Sequence, residues 1–436
     1  MSKSAPQGNH RAVVLGGGGS KGAYQIGVWQ ALRELGLDYR VVTGTSVGAL
    51  NGALMAQGEF EAAYALWWEM DNARVMEGIP SAGDTLDSRL AVYRAFVREM
   101  VTKGGLDISP LEATIRDILD EEKLRQSGVE YGIVTVDMST LKPVELFLRD
   151  MPPGSVADYM IASASCFPAF KPRTIEKARF IDGGYYDNLP VGMATRAGVA
   201  LSEIWAVDVD GIGVKRSFRP EVPLHTVRSC WDLGNFLIFE KDQCRRNIRL
   251  GYLDAMKEAG RYDGRAYAFP AGEGDVFRRA RGPAMAELTR RVLEPLEEPA
   301  RAAVEALALA RVRGKLRRRR LGEDLLLAAA ETAGELLGLD PTRVYTMAEL
   351  DDALRERVRL ERDRQGGQEL TLDTLPGEGG SLAEALAALG KELALLSVLE
   401  NLAQYLAGEA PILRPGLLAA ALPREFLACL YLIVAL

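Results

Sequence analysis

Val41-Val42-Thr43-Gly44-Thr45-Ser46-Val47-Gly48-Ala49-Leu50 is the stretch around which the rest of the chain is read. A short apolar run reaches a serine with a glycine two residues to either side, and small helix-favouring residues follow at once. This is the G-x-S-x-G pattern of a nucleophile elbow, in which a strand turns sharply into a helix and exposes the serine hydroxyl at the turn. Gly44 and Gly48 have a steric task there, because without a Cβ they let strand and helix pass closely around a strained Ser46. A helix starting at Val47 aims its free N–H groups and positive dipole end at the place where an oxyanion develops in acyl transfer. The same pattern also occurs in tight turns without chemistry, so a base and oxyanion donors have to be found.

Upstream, Ala12-Val13-Val14-Leu15 reads as a buried strand that runs into Gly16-Gly17-Gly18-Gly19-Ser20-Lys21-Gly22, and a helical pattern continues to about Leu35. Such a loop leaves backbone N–H groups unhindered, to hold a phosphate or a carbonyl oxygen turning negative. Gly17-x-Gly19-x-x-Gly22 fits a dinucleotide fingerprint, with Asp38 near the place of the ribose-binding acid. In that reading the second strand ends in the acid, whereas Asp38 precedes Val41 and the strand ends in the serine turn. A Walker loop is excluded because Gly22 stands where Ser or Thr is needed. An oxyanion loop beside a nucleophile accounts for both motifs with one reaction.

The composition is that of a globular protein of two or three domains: 436 residues, 48% hydrophobic and 26% charged. A formal charge of -7 argues against nucleic acid as a general partner. Cys166, Cys230, Cys244 and Cys429 form no C-x-x-C pair, which suggests neither a zinc site nor a disulfide framework and fits a cytoplasmic setting. Residues 1–10 read as a polar tail without the apolar core of a secretory signal. No run reaches the roughly 18 apolar residues of a membrane span.

Further along, helical spacing recurs over 59–70, 88–102 and 110–120, and two strands are expected at 130–138 and 144–148. Trp67 and Trp68 read as core packing rather than a substrate wall. A helical stretch over 156–165 leads to Cys166-Phe167-Pro168-Ala169-Phe170-Lys171-Pro172, a stiff loop suited to a pocket wall. Cys166 is read as a buried thiol, not a nucleophile.

Phe180-Ile181-Asp182-Gly183-Gly184 is the second chemical centre. A strand ends in an aspartate, and the two glycines turn the chain so that the carboxylate projects from the sheet edge, where open α/β sheets place catalytic groups. Asp208 and Asp210, after a strand at 203–208, are rival acids. Histidine is scarce: only His10, in the tail, and His225 occur. A Ser-His-Asp triad would have to recruit His225, whereas a Ser46–Asp182 dyad needs fewer parts. For Asp182 to act as base its site must be partly dry, since an exposed aspartate with a pKa of about 3.9 is a weak one.

Three motifs in order, Gly17-Gly18-Gly19-Ser20-Lys21-Gly22, Gly44-Thr45-Ser46-Val47-Gly48 and Asp182-Gly183-Gly184, resemble the patatin-like phospholipases, in bacterial form. Pro168, Pro172 and Asn188-Leu189-Pro190 are similar as well. The resemblance covers roughly 11–210 and, more loosely, 231–264. It implies a three-layer α/β/α domain with a mainly parallel central sheet over 11–270. It further implies hydrolysis of phospholipid or other acyl-ester lipids without metal or cofactor, with Ser46 as nucleophile, Asp182 as base and Gly17, Gly18 and Gly19 as oxyanion hole.

Residues 271–436 are Ala-, Leu-, Glu- and Arg-rich with helical periodicity, and form a helical C-terminal region whose role the sequence does not reveal. Seven cations in ten residues, from Arg311 to Arg320, either face solvent or draw the chain to anionic lipid as a peripheral membrane contact. The apolar 417–436 reads as core or subunit contact. Two rivals to the hydrolase stay open, an NAD-binding oxidoreductase and a silent scaffold of the same fold.

Overall fold

The apolar run expected as the first strand forms β1 (His10–Leu15), and the serine stretch forms β2 (Val41–Thr45) beside it. The computed structural model describes residues 10–79, 91–99 apart from 93 and 97, 105–312, 321–365 and 391–436. The chain divides into two compact units, Met1–Ala259 and Gly260–Leu436. The cations at 313–320 and the Gly/Pro break at 376–381 lie outside the described residues, as does most of the helix expected over 88–102. His10, expected in the tail, instead opens β1 opposite Leu201, because backbone pairing extends two residues beyond the apolar run.

The first unit is built on an eight-stranded mixed sheet. Its other strands are β3 (Glu130–Asp137), β4 (Pro143–Phe147), β5 (Arg173–Ile175), β6 (Ala178–Asp182), β7 (Leu201–Val207) and β8 (Leu224–Val227). The order is β5-β6-β3-β2-β1-β7-β8, with β4 paired to β3 off this path. The β3–β2–β1–β7–β8 block is parallel, and β4, β5 and β6 join antiparallel. The near-continuous apolar runs of β1 and β2 follow from this, since a parallel strand is buried on both faces.

Side-chain alternation distributes those runs between two helical layers. Ala12, Val14, Val41, Ile204 and Ala206 pack in one cluster with Val191, Met193 and Ala194 of the short helix Val191–Ala194. On the opposite face, Leu15, Val42 and Tyr131 lie against Gly52 of α2 (Val47–Gln57). Here α1 (Ala23–Glu34) packs closely on the helix Lys241–Glu258, where a Cβ on Gly27 would stand 1.8 Å from the Ile248 carbonyl oxygen. Trp67 is buried and donates to Asn51 at 2.8 Å, whereas Trp68 is half exposed and stacks on Tyr64.

The second unit is helical, with a two-stranded ribbon (Tyr262–Asp263 with Phe269–Pro270) at its start. The closing helix Pro423–Ala435 is its core: Phe426, Leu427, Leu430, Tyr431 and Leu432 are fully buried. That places the apolar C-terminal stretch among side chains of its own unit. No helix of the described residues is long and apolar enough to cross a membrane.

Candidate active site

Pairing along β3 explains how two residues far apart in sequence meet. Gly132 faces Thr43 of β2 on one edge and Phe147 of β4 on the other, and Thr135 faces Val144 of β4 and Asp182 of β6. β2 and β6 therefore share an edge of β3 and run toward each other. β2 ends with Thr45 opposite Val134, and β6 ends with Asp182 opposite Thr135, the next residue along. The elbow after one strand and the carboxylate ending the other are brought end to end.

At the elbow Ser46 holds φ 55° and ψ -126°, a conformation a non-glycine residue rarely adopts. Its N–H donates to Ser163 Oγ at 2.9 Å, and that hydroxyl donates to the Val134 carbonyl at 2.6 Å. Ser163, fully buried at the end of the helix Val156–Ser163, thus couples the strained turn to β3. The motif glycines are sterically required. A Cβ on Gly44 would stand 2.2 Å from the Gly48 carbonyl oxygen, and one on Gly48 would stand 2.2 Å from that of Leu15. Gly22 packs against Val47 and Trp67 in the same way.

Asp182 is 6% exposed, and burial pushes its carboxyl up to about 6. The Gly184 N–H, donated to Oδ1 at 2.7 Å, and the Ser46 hydroxyl act in the opposite direction by favouring the charged form. Gly183 sits where a Cβ would meet the Val134 carbonyl at 2.1 Å, so the turn hugs the end of β3. The partly dry setting expected for this aspartate is present.

The glycine loop lies beside both groups: a Cβ on Gly17 would stand 3.1 Å from Ser46 Cβ. The Gly17 N–H, expected as an oxyanion donor, donates to the Asn188 carbonyl at 3.1 Å. Ser20 N–H is likewise bonded, to Phe236 O at 2.9 Å. Among the described residues no partner falls to the N–H groups of Gly18 and Gly19, which remain as donors.

The rival acids and the histidine lie elsewhere. Asp208 and Asp210 pair with Lys215 at 2.8 and 3.0 Å, and Arg228 joins Asp210 at 3.0 Å. His225 is on β8, three strands from β2, stacked on Trp205 with its ring nitrogens at 3.1 and 3.2 Å from Glu258 and Glu203. Asp38 is exposed before β2, at the opposite end of that strand from Ser46. Cys166 lies close enough to feel the Asp182 charge, and burial raises its thiol to about 12, far from a thiolate at neutral pH.

Sequence reasoning passed over the residues that hold the site. Thr45 Oγ1 donates to Asp187 O at 2.8 Å, tying β2 to the chain beyond Asp182. Asn51 donates to Gly22 O at 3.0 Å and to Gln25 Oε1 at 2.8 Å, while Gln25 donates to Gly16 O at 2.6 Å. Their signal was polar side chains on the buried faces of otherwise apolar helices, where a polar group needs a partner.

A serine on a strand-to-helix elbow, a desolvated carboxylate at the end of β6 and open glycine amides beside them form an arrangement suited to acyl transfer. Residues 13–195, which contain all three motifs, match the family model described as patatin-like phospholipase. Patatin-like phospholipase domain-containing protein 7 of Mus musculus is 29% identical over 205 residues, covering 46% of this chain and 14% of that protein. An uncharacterized NTE family protein of Mycobacterium bovis is 29% identical over 213 residues, covering 48% of this chain and 52% of its own. The chain thus matches about half or less of the length of these relatives. VipD from Legionella pneumophila, known from a crystal structure, aligns over 98% of this chain and 92% of its own at 13% identity, with a TM-score of 0.34.

Proposed function

We propose that the chain is a serine acyl hydrolase of the phospholipase A or lysophospholipase type, cleaving carboxylic esters of glycerolipids through an acyl-enzyme, with residues 11–270 as its catalytic part. The Ser46 hydroxyl attacks the ester carbonyl and gives its proton to Asp182, while the N–H groups of Gly18 and Gly19 hold the oxyanion. The C–O bond to the alcohol or lysolipid breaks, and the leaving oxygen takes the proton from Asp182. Water, deprotonated by the same carboxylate, then attacks the acyl-enzyme; the Ser46–acyl bond breaks, Ser46 Oγ takes that proton back from Asp182 and the fatty acid leaves. A carboxyl near 6 suits this double task, because catalytic efficiency is greatest when the base titrates near the working pH.

The observation that carries the reading is the shared edge of β3, which sets Ser46 and Asp182 end to end with the open amides beside them. The 29% identity to the mouse relative, named as a patatin-like phospholipase domain protein, supports the substrate class. A fluorophosphonate probe tests it. Labelling of the wild type that disappears in Ser46→Ala is expected, whereas equal labelling of both would place the reactive nucleophile elsewhere. Peripheral contact with a lipid surface belongs to the same proposal, since the substrate resides there.

A further inference from the structure

The loop that follows β7 passes directly beside the candidate site. A Cβ on Gly211 would stand 1.8 Å from the Gly17 carbonyl oxygen. Val214 N–H donates to Gly184 O at 2.8 Å, and Asn188 N–H donates to Val214 O at 2.6 Å. The loop is therefore fixed beside the glycine loop and the Asp182 turn, with Lys21 Nζ on the Asp210 carbonyl at 3.1 Å and the Arg216 N–H on Asp187 Oδ1 at 3.3 Å as further ties, and the side chains of Ile212 and Val214 take no part in holding it.

Those side chains are apolar and turned to water: Ile212 is 72% exposed and Val214 51%. Beside the same turn Tyr185 is 51% and Phe167 37% exposed, joined by a hydrogen bond from the Tyr185 hydroxyl to the Phe167 carbonyl. Of the eight exposed large apolar side chains among the described residues of the first unit, two lie on this loop and two on or beside the Asp182 turn, segments joined by the Val214 N–H to Gly184 O hydrogen bond. Single exposed apolar residues are ordinary, but a group at the rim of a site marks a contact surface.

The charge around the patch selects its occupant. The chain as a whole carries -7, yet Lys215, Arg216 and Arg219 follow Ile212 within seven residues. Lys215 is answered by Asp208 and Asp210, whereas Arg216 lies over the Tyr186 ring at 4.5 Å and, among the described residues, neither it nor Arg219 forms an ion pair. Apolar side chains flanked by unpaired cations on an acidic protein complement an anionic lipid surface, with apolar groups entering the acyl boundary and cations meeting the headgroups.

We propose that Ile212, Val214, Tyr185 and Phe167, flanked by Arg216 and Arg219, dock the chain on anionic glycerolipid and set the opening of the site against the bilayer. The inference rests on the acyl-hydrolase reading, and two separate readouts keep them apart: flotation with vesicles for docking, and hydrolysis of a soluble short-chain chromogenic ester for chemistry. The full chain is mixed with phosphatidylcholine vesicles with and without phosphatidylglycerol. The wild type is expected to float with the anionic vesicles. Ile212→Asp should lower the partition coefficient about ten-fold or more, through lost apolar insertion. Arg219→Glu should lower it about five-fold or more, on anionic vesicles only.

Ser46→Ala should float like the wild type while hydrolysing nothing. Leu141→Asp, a change at an equally exposed apolar residue on the turn between β3 and β4, should match the wild type in both assays. Flotation of Ile212→Asp equal to wild type overturns the docking surface, as does a dimer in gel filtration that Ile212→Asp splits, which would assign the patch to a second copy. Soluble-ester hydrolysis without vesicle binding removes the docking proposal alone. Vesicle binding without soluble-ester hydrolysis removes the chemical reading alone.

Discussion

Asn188 holds Gly17 from two directions: its carbonyl accepts the Gly17 N–H at 3.1 Å, and its Nδ2 donates to the Gly17 carbonyl at 3.1 Å. The side chain is buried, and its Oδ1 sits where a Cβ on either Gly17 or Gly184 would collide with it, at 2.4 and 3.0 Å. One amide thus fixes the gap between the loop that would hold an oxyanion and the turn that presents Asp182. It touches no reacting atom.

Replacing Asn188 by Ala is expected to lower kcat toward a soluble ester by about 10- to 100-fold, because a displacement of roughly 1 Å in positioned groups costs that much. The effect on KM should be small, since no substrate contact is removed. Asn188→Asp should recover little, because it cannot donate to the Gly17 carbonyl. Steady-state kinetics with a melting curve of each variant checks this: a fall in Tm with unchanged kcat would make Asn188 merely structural.

The buried carboxyl of Asp182 predicts opposite pH trends for rate and stability. As a base it works only when ionised, so single-turnover acylation should rise with pH through about 6 and then level. Stability runs the other way. The folded-state pKa, about 6, lies above the ordinary value of 3.8, so between those limits the folded state binds more protons and loses stability as pH rises. The loss is of order 3 kcal/mol once both states are ionised. Asp187 is raised to about 6 as well, so the Asp182 share is the difference between wild type and Asp182→Asn in denaturant titrations from pH 4 to 8. Asp182→Asn should be the more stable of the two at pH 8 and should lose acylation; a pH-independent stability difference would contradict the desolvated carboxyl.

Much of this site is legible in the sequence, because the motifs are local. Gly44 and Gly48 bracket Ser46 for reasons of contact between neighbouring turns, and Asp182 ends an apolar strand before two glycines. What could not be read is pairing. That β6 joins β3 antiparallel on the edge β2 already occupies is decided by strands β3 to β6 together, and no residue of Phe180 to Gly184 signals it. The three-residue β5 and four-residue β8 were missed for a related reason: each is too short to show alternation and exists because a neighbour offers an edge. The glycine loop was legible as a cradle, but which of its N–H groups stays open depends on Asn188 and Phe236, more than 160 residues away.

Gly19→Ala should remove activity without unfolding the sheet. Gly19 has φ 55°, and a Cβ there would stand 2.0 Å from the Phe236 carbonyl oxygen, a backbone atom that cannot swing aside. The loop must shift, carrying with it one of the two open N–H groups. Loss of one oxyanion donor costs about 100- to 1000-fold in rate. Fluorophosphonate labelling kinetics reads the effect on the acylation step directly, with far-UV circular dichroism as the control for folding. Labelling at the wild-type rate would assign the oxyanion to other donors.

Ser163→Ala isolates the strain at the elbow from the chemistry. The Ser163 hydroxyl accepts the Ser46 N–H and donates to Val134 O, so its loss leaves one buried donor and one buried acceptor at the junction of β2, β3 and the helix Val156–Ser163. An unsatisfied buried polar group costs about 1–3 kcal/mol, and this is the expected loss of stability. Nothing else then holds the Ser46 N–H, and a residue at φ 55° relaxes toward ordinary backbone unless its surroundings prevent it. Relaxation turns the hydroxyl from Asp182, so the acylation rate should fall along with stability. Ser163→Thr, which keeps the hydroxyl, should restore both in part. Ser163→Cys keeps a similar volume but bonds only weakly, and should resemble Ser163→Ala in rate. A Ser163→Ala variant that loses stability yet acylates at the wild-type rate would show that α2 and β2 alone suffice to hold the nucleophile.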